Sequence, residues 1–395
     1  MASIHDLVGA AKSQSDLEIR PVKIRYQEAT SLLGGSYFRM TLPKVADDSV
    51  DCRSIRMKFR LAVTSTDPNC CIDGTDIRTI FNRVRVLSGS QVLLDLSEAS
   101  QYFQLESNMN STVTQNLYEK YLTGNADRTT RRTWAAGGAA REYVCTINPL
   151  GAILNTAALL PLSRLSDVHV EFWLSSSAQC LDSPLTHAGA TYALSDIEIL
   201  ADYVRSRSIS AYFNASPVRF HVQDFSHRFA NVTSQQNLIR LSSAHTSLNK
   251  TITVLRDPTN LVIQTIDKFN SFYTGASVSD LNVFINNQLY FEENCDSKEE
   301  MYHQLVKACP AVKTSDWFTT LYATTRHVIA VNLTAAPVEF AKALSSGVKT
   351  SALNSDVVVR VNLAGVPPAL RADTYLVSDA LIFVDGPRGD LKVSF

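Results

Sequence analysis

The side chains of this sequence that are suited to acid–base or metal chemistry do not occur at the spacings that such chemistry needs. The eight histidines are dispersed, and the nearest approach to a pair of metal ligands is His169-Val170-Glu171. A cupin-type site needs a second histidine two positions after the first, where this chain has Glu171. Positions 169 and 171 of a strand share one face, so we interpret this pair as a polar surface.

Other signatures of catalysis are missing from the sequence. There is no glycine-rich phosphate loop of the Walker or Rossmann type, since Gly137-Gly138 lies in an alanine-rich stretch without a following Lys-Ser or Lys-Thr. A G-x-S-x-G nucleophile elbow and an H-E-x-x-H helix are also lacking. We therefore predict no catalytic, cofactor-binding or metal-binding residue, no cofactor, and no enzymatic activity.

A basic segment beside an aromatic residue runs from Asp127 to Trp134, with Arg128, Arg131, Arg132 and the nearby Arg141. Arginines next to an aromatic ring can clamp a nucleic acid. The net charge of −1 gives no wider basic surface to support that role, and the Ala- and Gly-rich context also suits a loop at a subunit contact. The sequence leaves open which of the two the segment between Arg128 and Arg141 contacts.

The tripeptide Arg388-Gly389-Asp390 matches the motif that integrins bind. It follows Asp385-Gly386-Pro387 and precedes an alternating segment, so it suits a hairpin turn whatever its function. A tripeptide also occurs easily by chance. We do not expect these residues to bind a host receptor.

The seven cysteines are odd in number and scattered, without a C-x-x-C pair, and we predict free thiols that are mostly buried. Cys70-Cys71 suits a loop better than a vicinal disulfide. The N-terminus lacks the pattern of a signal peptide, and no apolar run approaches the roughly 20 residues of a membrane-spanning helix. We expect a soluble protein made in a reducing compartment.

Two short motifs occur twice, in the same order, in this chain of 395 residues. Ser166-Asp167-Val168 is followed by Tyr192-x-x-Ser195-Asp196, and Ser355-Asp356-Val357 is followed by Tyr375-x-x-Ser378-Asp379. Ordered repetition at half the chain length indicates two similar domains in tandem.

A third correspondence supports the duplication. Val84-x-Val86 leads through Ser88-Gly89-Ser90 to a predicted helix with Tyr102 and Leu105. Val283-x-Ile285 leads through Asn286-Asn287 to a predicted helix with Tyr302 and Leu305. Gly and Asn tolerate the positive φ of tight turns, so each segment is predicted to be a hairpin followed by a helix.

Alternating or short β-branched apolar runs dominate the chain and predict an all-β protein of antiparallel sandwiches or barrels. The predicted strands are Ser54–Val63, Asn82–Leu87, Gln91–Leu96, Glu142–Ile147, Asp167–Leu174, Ile197–Val204, Val218–Val222, Thr251–Leu255, Leu261–Ile266, Leu281–Ile285, His327–Leu333, Asp356–Leu363 and Leu376–Val384. The few predicted helices are Ser100–Leu105, Val113–Leu122, Lys298–Ala308 and Pro337–Leu344, with a short apolar stripe over Ile4–Ala11. Breaks in the strand pattern between Val204 and Val218 place the domain boundary there. We predict an N-terminal arm (1–20), a first domain (21–207) and a second domain (208–395).

The pattern resembles the double jelly-roll major capsid proteins of tailless icosahedral DNA viruses, which include those of adenoviruses, membrane-containing phages, polinton-like elements and large DNA viruses. The stretches that carry the resemblance are Phe81–Val86, Leu160-Pro161-Leu162, Tyr192–Ile197, Phe284–Tyr290 with the Glu299–Leu305 helix, Ser345–Thr350 and Ser378-Asp379. The resemblance extends over nearly the whole chain.

The resemblance implies two tandem eight-stranded antiparallel jelly rolls, with a few short helices in loops. It implies a structural protein that forms homotrimeric, pseudo-hexagonal capsomers, which tile an icosahedral virion shell assembled inside the host cell. The partners would be neighbouring capsomers, penton or vertex proteins and minor capsid proteins, with the N-terminal arm facing an internal membrane or the genome. The alternative is a two-domain jelly-roll enzyme, bicupin-like or glycan-processing, because fold alone does not fix function. A carbohydrate-binding module would need an aromatic platform, and Trp134, Trp173 and Trp317 are too scattered to predict one.

Overall fold

A computed structural model of the chain describes residues 17–74, 76–110, 139–156, 158–186, 188–215, 217–242, 244–264, 268–269, 278–314, 322, 327–334, 347–350, 356–384 and 391–394. The predicted helices Val113–Leu122 and Pro337–Leu344 and the Ile4–Ala11 stripe lie outside these residues.

The first half of the chain forms three antiparallel sheets. Its strands are β1 (Glu18–Arg25), β2 (Ser31–Leu33), β3 (Tyr37–Leu42), β4 (Asp48–Asp51), β5 (Arg56–Thr64), β6 (Cys71–Ile72), β7 (Phe81–Ser88), β8 (Gln91–Ser97), β9 (Arg141–Cys145), β10 (Leu159–Leu160), β11 (Val168–Leu174), β12 (Leu181–Asp182) and β13 (Thr191–Arg205). The long strand β13 pairs with β1 and β2 on one side and with β5 and β4 on the other. A second sheet has the order β3-β11-β7-β8, and β6 pairs with β12.

The second half repeats this arrangement. Its strands are β14 (Val218–Val232), β15 (Gln236–Leu241), β16 (Leu248–Arg256), β17 (Val278–Ile285), β18 (Gln288–Leu289), β19 (Ile329–Asn332), β20 (Val357–Leu363), β21 (Leu370–Val384) and β22 (Leu391–Ser394). The long strand β21 lies between β14 and β16, and the other sheet has the order β15-β20-β17-β18. Eight strand positions of the first half therefore have an equivalent in the second, with β1 and β2 together at the position of β14, which confirms the two tandem jelly rolls.

Four α-helices accompany the sheets in the described residues: α1 (Ala99–Asn110), α2 (Ser177–Cys180), α3 (Arg207–Ala215) and α4 (Lys298–Ala308). The predicted hairpin-and-helix segments are confirmed, since β7-β8-α1 and β17-β18-α4 follow the expected course. Gly89, Asn286 and Asn287 have the positive φ values of 57°, 54° and 62° that their turns require.

Apolar side chains of the two large sheets of the first half meet in its core. Inward residues alternate along the strands, as in β5, where Met57, Phe59 and Leu61 are fully buried. The ring of Phe59 meets that of Phe81 from the opposite sheet edge-on, with 6.1 Å between the centroids. This core continues without a break into residues of β14 and β21, while a second core fills the other jelly roll.

One prediction about local structure is wrong. The described part of the predicted strand Leu261–Ile266, residues 261–264, is not a strand. Instead, Pro258–Val262 forms a 3₁₀ helix, which Asp257 caps by accepting a hydrogen bond from the Thr259 amide. The break between Val204 and Val218 contains helix α3, whose Ile209 and Phe213 are buried one turn apart. Strand β1 begins inside the predicted 1–20 arm, and α3 crosses the predicted boundary at 207/208, so the domain limits stay a proposal.

The repeated Tyr-x-x-Ser-Asp motif lies on equivalent strands, but its tyrosines face opposite sides. Tyr192 lies in the first core and donates a hydrogen bond to the Ser175 carbonyl, whereas Tyr375 faces the other jelly roll. The pairing of β13 with β5 has one extra residue on β13, after Ser195, whereas the pairing of β21 with β16 has its extra residue on β16. A one-residue bulge turns the preceding side chains to the other face.

Candidate functional site

The polar pair on β11 forms a surface network. His169 Nδ1 lies 2.9 Å from the Thr41 hydroxyl. Glu171 accepts a hydrogen bond of 2.9 Å from the Tyr37 hydroxyl and lies 3.6 Å from the Arg85 guanidinium. Every polar contact is between neighbouring strands of one sheet face, as expected for a polar surface.

The described parts of the chain contain no group of three or more His, Cys, Asp and Glu side chains arranged to hold a metal ion. Nor do they contain a helix long and apolar enough to cross a membrane. Arg128–Trp134, Trp317 and Arg388-Gly389-Asp390 lie outside the described residues, whereas Arg141 begins β9.

All seven cysteines are buried and none of them is in a disulfide, as predicted. Burial raises the pKa of Cys145 and of Cys180 to about 12. Thiols with such pKa values stay protonated at neutral pH and make poor nucleophiles. Cys70 directly precedes the short strand β6, and Cys71 begins it.

The most extensive polar arrangement joins the two jelly rolls, at a contact that we call the seam: β8 and α1 of the first half against β14, β16 and β21 of the second. At its centre, Arg256 lies 2.6 Å from the Asp373 carboxylate and 3.4 Å from that of Glu98. Arg371 bridges the same two carboxylates at 2.8 and 3.1 Å. Gln101 accepts a hydrogen bond of 3.0 Å from Arg256. The network thus crosses from one half to the other.

A histidine and two tyrosines complete the seam. His227 joins Asp373, at 2.8 Å, to the hydroxyl of Ser97 on β8, at 3.3 Å. Tyr375 donates a hydrogen bond of 2.9 Å to the Glu98 carbonyl. The ring of Tyr102 from α1 packs 5.2 Å from that of Tyr375. Polar and aromatic contacts alternate here, so the fit depends on the relative position of both halves.

Asp373 is fully buried, yet it is held in its charged form. Burial by itself raises the pKa of this carboxyl, but Arg256, the hydrogen bond from His227 and Arg371 outweigh it and lower the pKa to about 2. Removing one partner from such a buried pair leaves an uncompensated charge, at a cost of several kcal/mol. The seam therefore favours one arrangement of the two jelly rolls over all others.

A second set of hydrogen bonds joins the two halves where the segment after β16 contacts the first half. Lys268 Nζ donates a hydrogen bond of 2.6 Å to the Leu181 carbonyl, and its backbone amide donates one of 2.7 Å to Asp73. The side chain of Gln264 donates to the Ala190 carbonyl at 2.6 Å and accepts from the Ala190 amide at 3.1 Å. Burial lowers the pKa of Lys268, and Asp73 opposes that effect.

Two depressions lie beside these contacts. The seam groove, of about 400 Å³, runs between β8 and β14 and is lined by Arg83, Asp95, Asp224, His227 and His245. Burial raises the pKa of Asp224 to about 6, against a hydrogen bond from the Phe225 amide. Neither ring nitrogen of His245 has a hydrogen-bond partner among the described residues.

The outer cleft, of about 650 Å³, opens on the first half beside the break between β1 and β2. Arg25, Lys58 and Arg60 line it together with Glu142, Asp196 and Glu198. These side chains pair along the sheet face, as in Arg25 with Glu198 at 2.9 Å and Arg60 with Asp196 at 3.5 Å. Neither depression places a nucleophile beside a base and an oxyanion site.

Sequence reasoning did not find the seam. Its charged residues Glu98, Arg256 and Asp373 are more than 100 positions apart and belong to no motif. The one signal was Tyr375 of the repeated motif, whose hydroxyl donates to the carbonyl of Glu98.

A scan against the profiles of known protein families gives no match, and a search of characterised protein sequences also gives none. Solved structures do match. The capsid structure of the virus PBCV-1 has a TM-score of 0.66 at 12% identity, covering 96% of this chain and 97% of that one. The Faustovirus major capsid protein has a TM-score of 0.62 at 8% identity, covering 93% and 90%. The Sputnik virophage structure has a TM-score of 0.60 at 10% identity, covering 96% and 88%.

These structures share with this chain almost the full length and the two successive sandwiches, at identities that establish the fold alone. The chain therefore has the double jelly-roll fold of the major capsid proteins of icosahedral DNA viruses.

Proposed function

We propose that the chain is a structural major capsid protein, located in the virion shell. The observation that carries this proposal is the pair of equivalent jelly rolls, fixed against each other by a buried seam. The likeness to viral capsid structures over more than nine-tenths of the chain supports it.

Three copies, each with two jelly rolls, would give a capsomer with six similar lobes. Such a homotrimer has the pseudo-hexagonal outline that tiles an icosahedral facet. Neighbouring capsomers, penton or vertex proteins and minor capsid proteins are its partners in this proposal. The arm before β1 faces an internal membrane or the genome, and the shell assembles inside the host cell.

A structural protein of this kind has no enzymatic activity, and this absence is part of the proposal. The buried carboxylates and arginines of the seam are engaged with one another, and the described cysteines are buried. A two-domain jelly-roll enzyme would need clustered ligands or carboxylates in a cleft. The outer cleft instead pairs its acids with bases along one sheet face.

The purified protein should behave as a tight trimer in size-exclusion chromatography with light scattering. Negative-stain images of that trimer should show a hexagonal outline with two lobes per subunit. A monomer that hydrolyses glycans would contradict the proposal, and so would a trimer with only three lobes.

A further inference from the structure

Asp73 of the first half and Lys268 of the second form a buried pair that we call the Asp73–Lys268 pair. Lys268 Nζ lies 3.9 Å from Asp73 Oδ2, and the two side chains are 1% and 0% exposed. The other lysine–carboxylate pairs of the described residues, those of Lys44 and Lys58, are partly exposed. A bond formed at the Asp73–Lys268 pair by loss of water is therefore protected from hydrolysis.

The surroundings favour the neutral form of this pair. Burial lowers the pKa of Lys268, and Asp73 opposes that effect. Transfer of one proton from the ammonium to the carboxylate gives an amine and a carboxylic acid, which cost less to bury than two ions. The neutral amine has a lone pair and is a nucleophile. Reacting atoms need to be about 3 to 3.5 Å apart, so a small movement of the lysine side chain is sufficient.

Backbone amides donate hydrogen bonds to both carboxyl oxygens of Asp73. The Gly74 amide donates to Oδ1 at 2.9 Å, and the Lys268 amide donates to Oδ2 at 2.7 Å. Fixed N–H groups of this kind stabilise the negative charge that develops on oxygen when a nucleophile adds to the carboxyl carbon. The same two bonds also fix the orientation of the carboxyl group.

A second buried carboxyl group lies on the same side of the β6-β12 ribbon. Asp182 pairs with Cys71, and the ladder continues through the bond from the Asp73 amide to the Cys180 carbonyl. Residues two positions apart on a strand share one face, so Asp73 and Asp182 face the same side. Asp182 is 1% exposed and is near enough to act on the charge of Lys268. A carboxylate in this place can relay a proton between nitrogen and oxygen.

We propose that Asp73 and Lys268 react with each other to form an isopeptide bond, an amide between Cγ and Nζ that links the two jelly rolls covalently. The Nζ lone pair forms the new N–C bond to the carboxylic acid, and the Gly74 amide stabilises the charge on Oδ1. Asp182 accepts one proton from the nitrogen and returns it to the Oδ2 hydroxyl group. The Cγ–Oδ2 bond then breaks and one water molecule leaves. The reaction needs no oxidant, reductant or further reactant.

The bond joins residues that are 195 positions apart. A cross-link over such a separation restricts the unfolded chain strongly, and in this way it favours the folded state. It lies at the second contact between the two halves, apart from the ion pairs of the seam. The inference does not depend on the proposed function, because the bond forms within one chain.

The intact mass of the purified full chain, measured under denaturing conditions, tests the inference. We expect the wild type to be lighter than its sequence by one water molecule. Lys268→Arg and Asp73→Ala should each have the full mass of their sequences. Tandem mass spectrometry of a digest should place the loss on a branched peptide that joins positions 73 and 268. Asp182→Asn should slow the reaction, so freshly purified variant should contain full-mass chain that declines on incubation.

The matched control is Lys44→Arg, a change in the partly exposed lysine that pairs with Asp167 at 3.1 Å, and it should still lose one water molecule. The wild type alone decides the result if the variants of the buried pair do not fold. A wild type of full mass, or a loss of water that maps to another residue, would overturn the inference and leave an ordinary ion pair. An Asp182→Asn chain that reacts as fast as the wild type would overturn the role of Asp182 as the relay. The capsid proposal is tested separately, by the size of the oligomer.

Discussion

At the scale of single residues, the chain uses its buried charges for fit between domains. Asp373 illustrates this use, because three cationic or hydrogen-bonding partners hold it ionised inside the seam. Asp224 lines the seam groove beside this contact and accepts a hydrogen bond from the Phe225 amide, but burial outweighs that bond and raises its pKa to about 6. The contributions of the two carboxyls to the stability of the folded state should therefore change with pH in opposite directions.

Asp224 should make the folded state less stable as pH rises. Its pKa is about 6 in the folded chain against an ordinary value of 3.8, so between these values the folded state holds a proton that the unfolded state has lost. Stability falls through this window, by up to about 3 kcal/mol above pH 6. Asp224→Asn should remove that loss. The free energy of unfolding of the variant, relative to that of the wild type, should therefore increase from pH 4 to pH 8.

Urea denaturation at several pH values measures the difference in the free energy of unfolding between variant and wild type. The pKa of His245 is lowered by burial, but its titration affects both proteins and cancels in the difference. Asp196→Asn, at an exposed position, is the matched control and should show no such trend. A difference for Asp224→Asn that does not change with pH would contradict the assignment.

At the scale of elements, the two hairpins β7-β8 and β17-β18 have equivalent turns that are formed by different residues. The first uses Gly89 and the second uses Asn286 and Asn287, all at positive φ. In the second half the register of residues 288–295 depends more strongly on the turn, because β18 has only two residues.

Asn287→Ala should lower the free energy of unfolding by about 1 to 2 kcal/mol, because alanine in the left-handed region is strained. Asn287→Gly should cost little, since glycine adopts this conformation readily. Thermal or urea denaturation of both variants measures the difference. Equal stability of the alanine and glycine variants would show that the turn does not need a positive φ at this position.

Sequence reasoning predicted the repeated elements well and their mutual contacts poorly. Strands such as β5 and β11 were found because alternation along one strand is a local signal. The prediction of a strand at Leu261–Ile266 was wrong because a 3₁₀ helix begins at Pro258, after the capping residue Asp257, and extends into this apolar run. The faces of Tyr192 and Tyr375 were not predictable, because a bulge on one strand or its partner leaves the motif itself unchanged. The seam depends on pairings between distant residues, which one sequence does not reveal.

At the scale of the whole molecule, one apolar core extends from the first jelly roll across the seam to β14 and β21. The buried network of Arg256, Asp373 and Glu98 crosses at the same place, and Lys268 ties a second point. Opening the seam would expose both the apolar surface and the buried charges. Unfolding of one half would therefore destabilise the other half. We expect the two jelly rolls to unfold together.

Calorimetry of the wild-type chain, under conditions that dissociate any oligomer, should give a single unfolding transition. Asp373→Ala leaves Arg256 buried without its main partner and should destabilise the seam by about 3 to 5 kcal/mol, separating the trace into two transitions. Asp280→Ala, a change in a partly exposed aspartate of the second half that hydrogen-bonds Asn362 on the sheet away from the seam, is the matched control and should keep one transition. Two transitions in the wild type would mean that the seam does not couple the halves, and the jelly rolls would then be independent domains on a short linker.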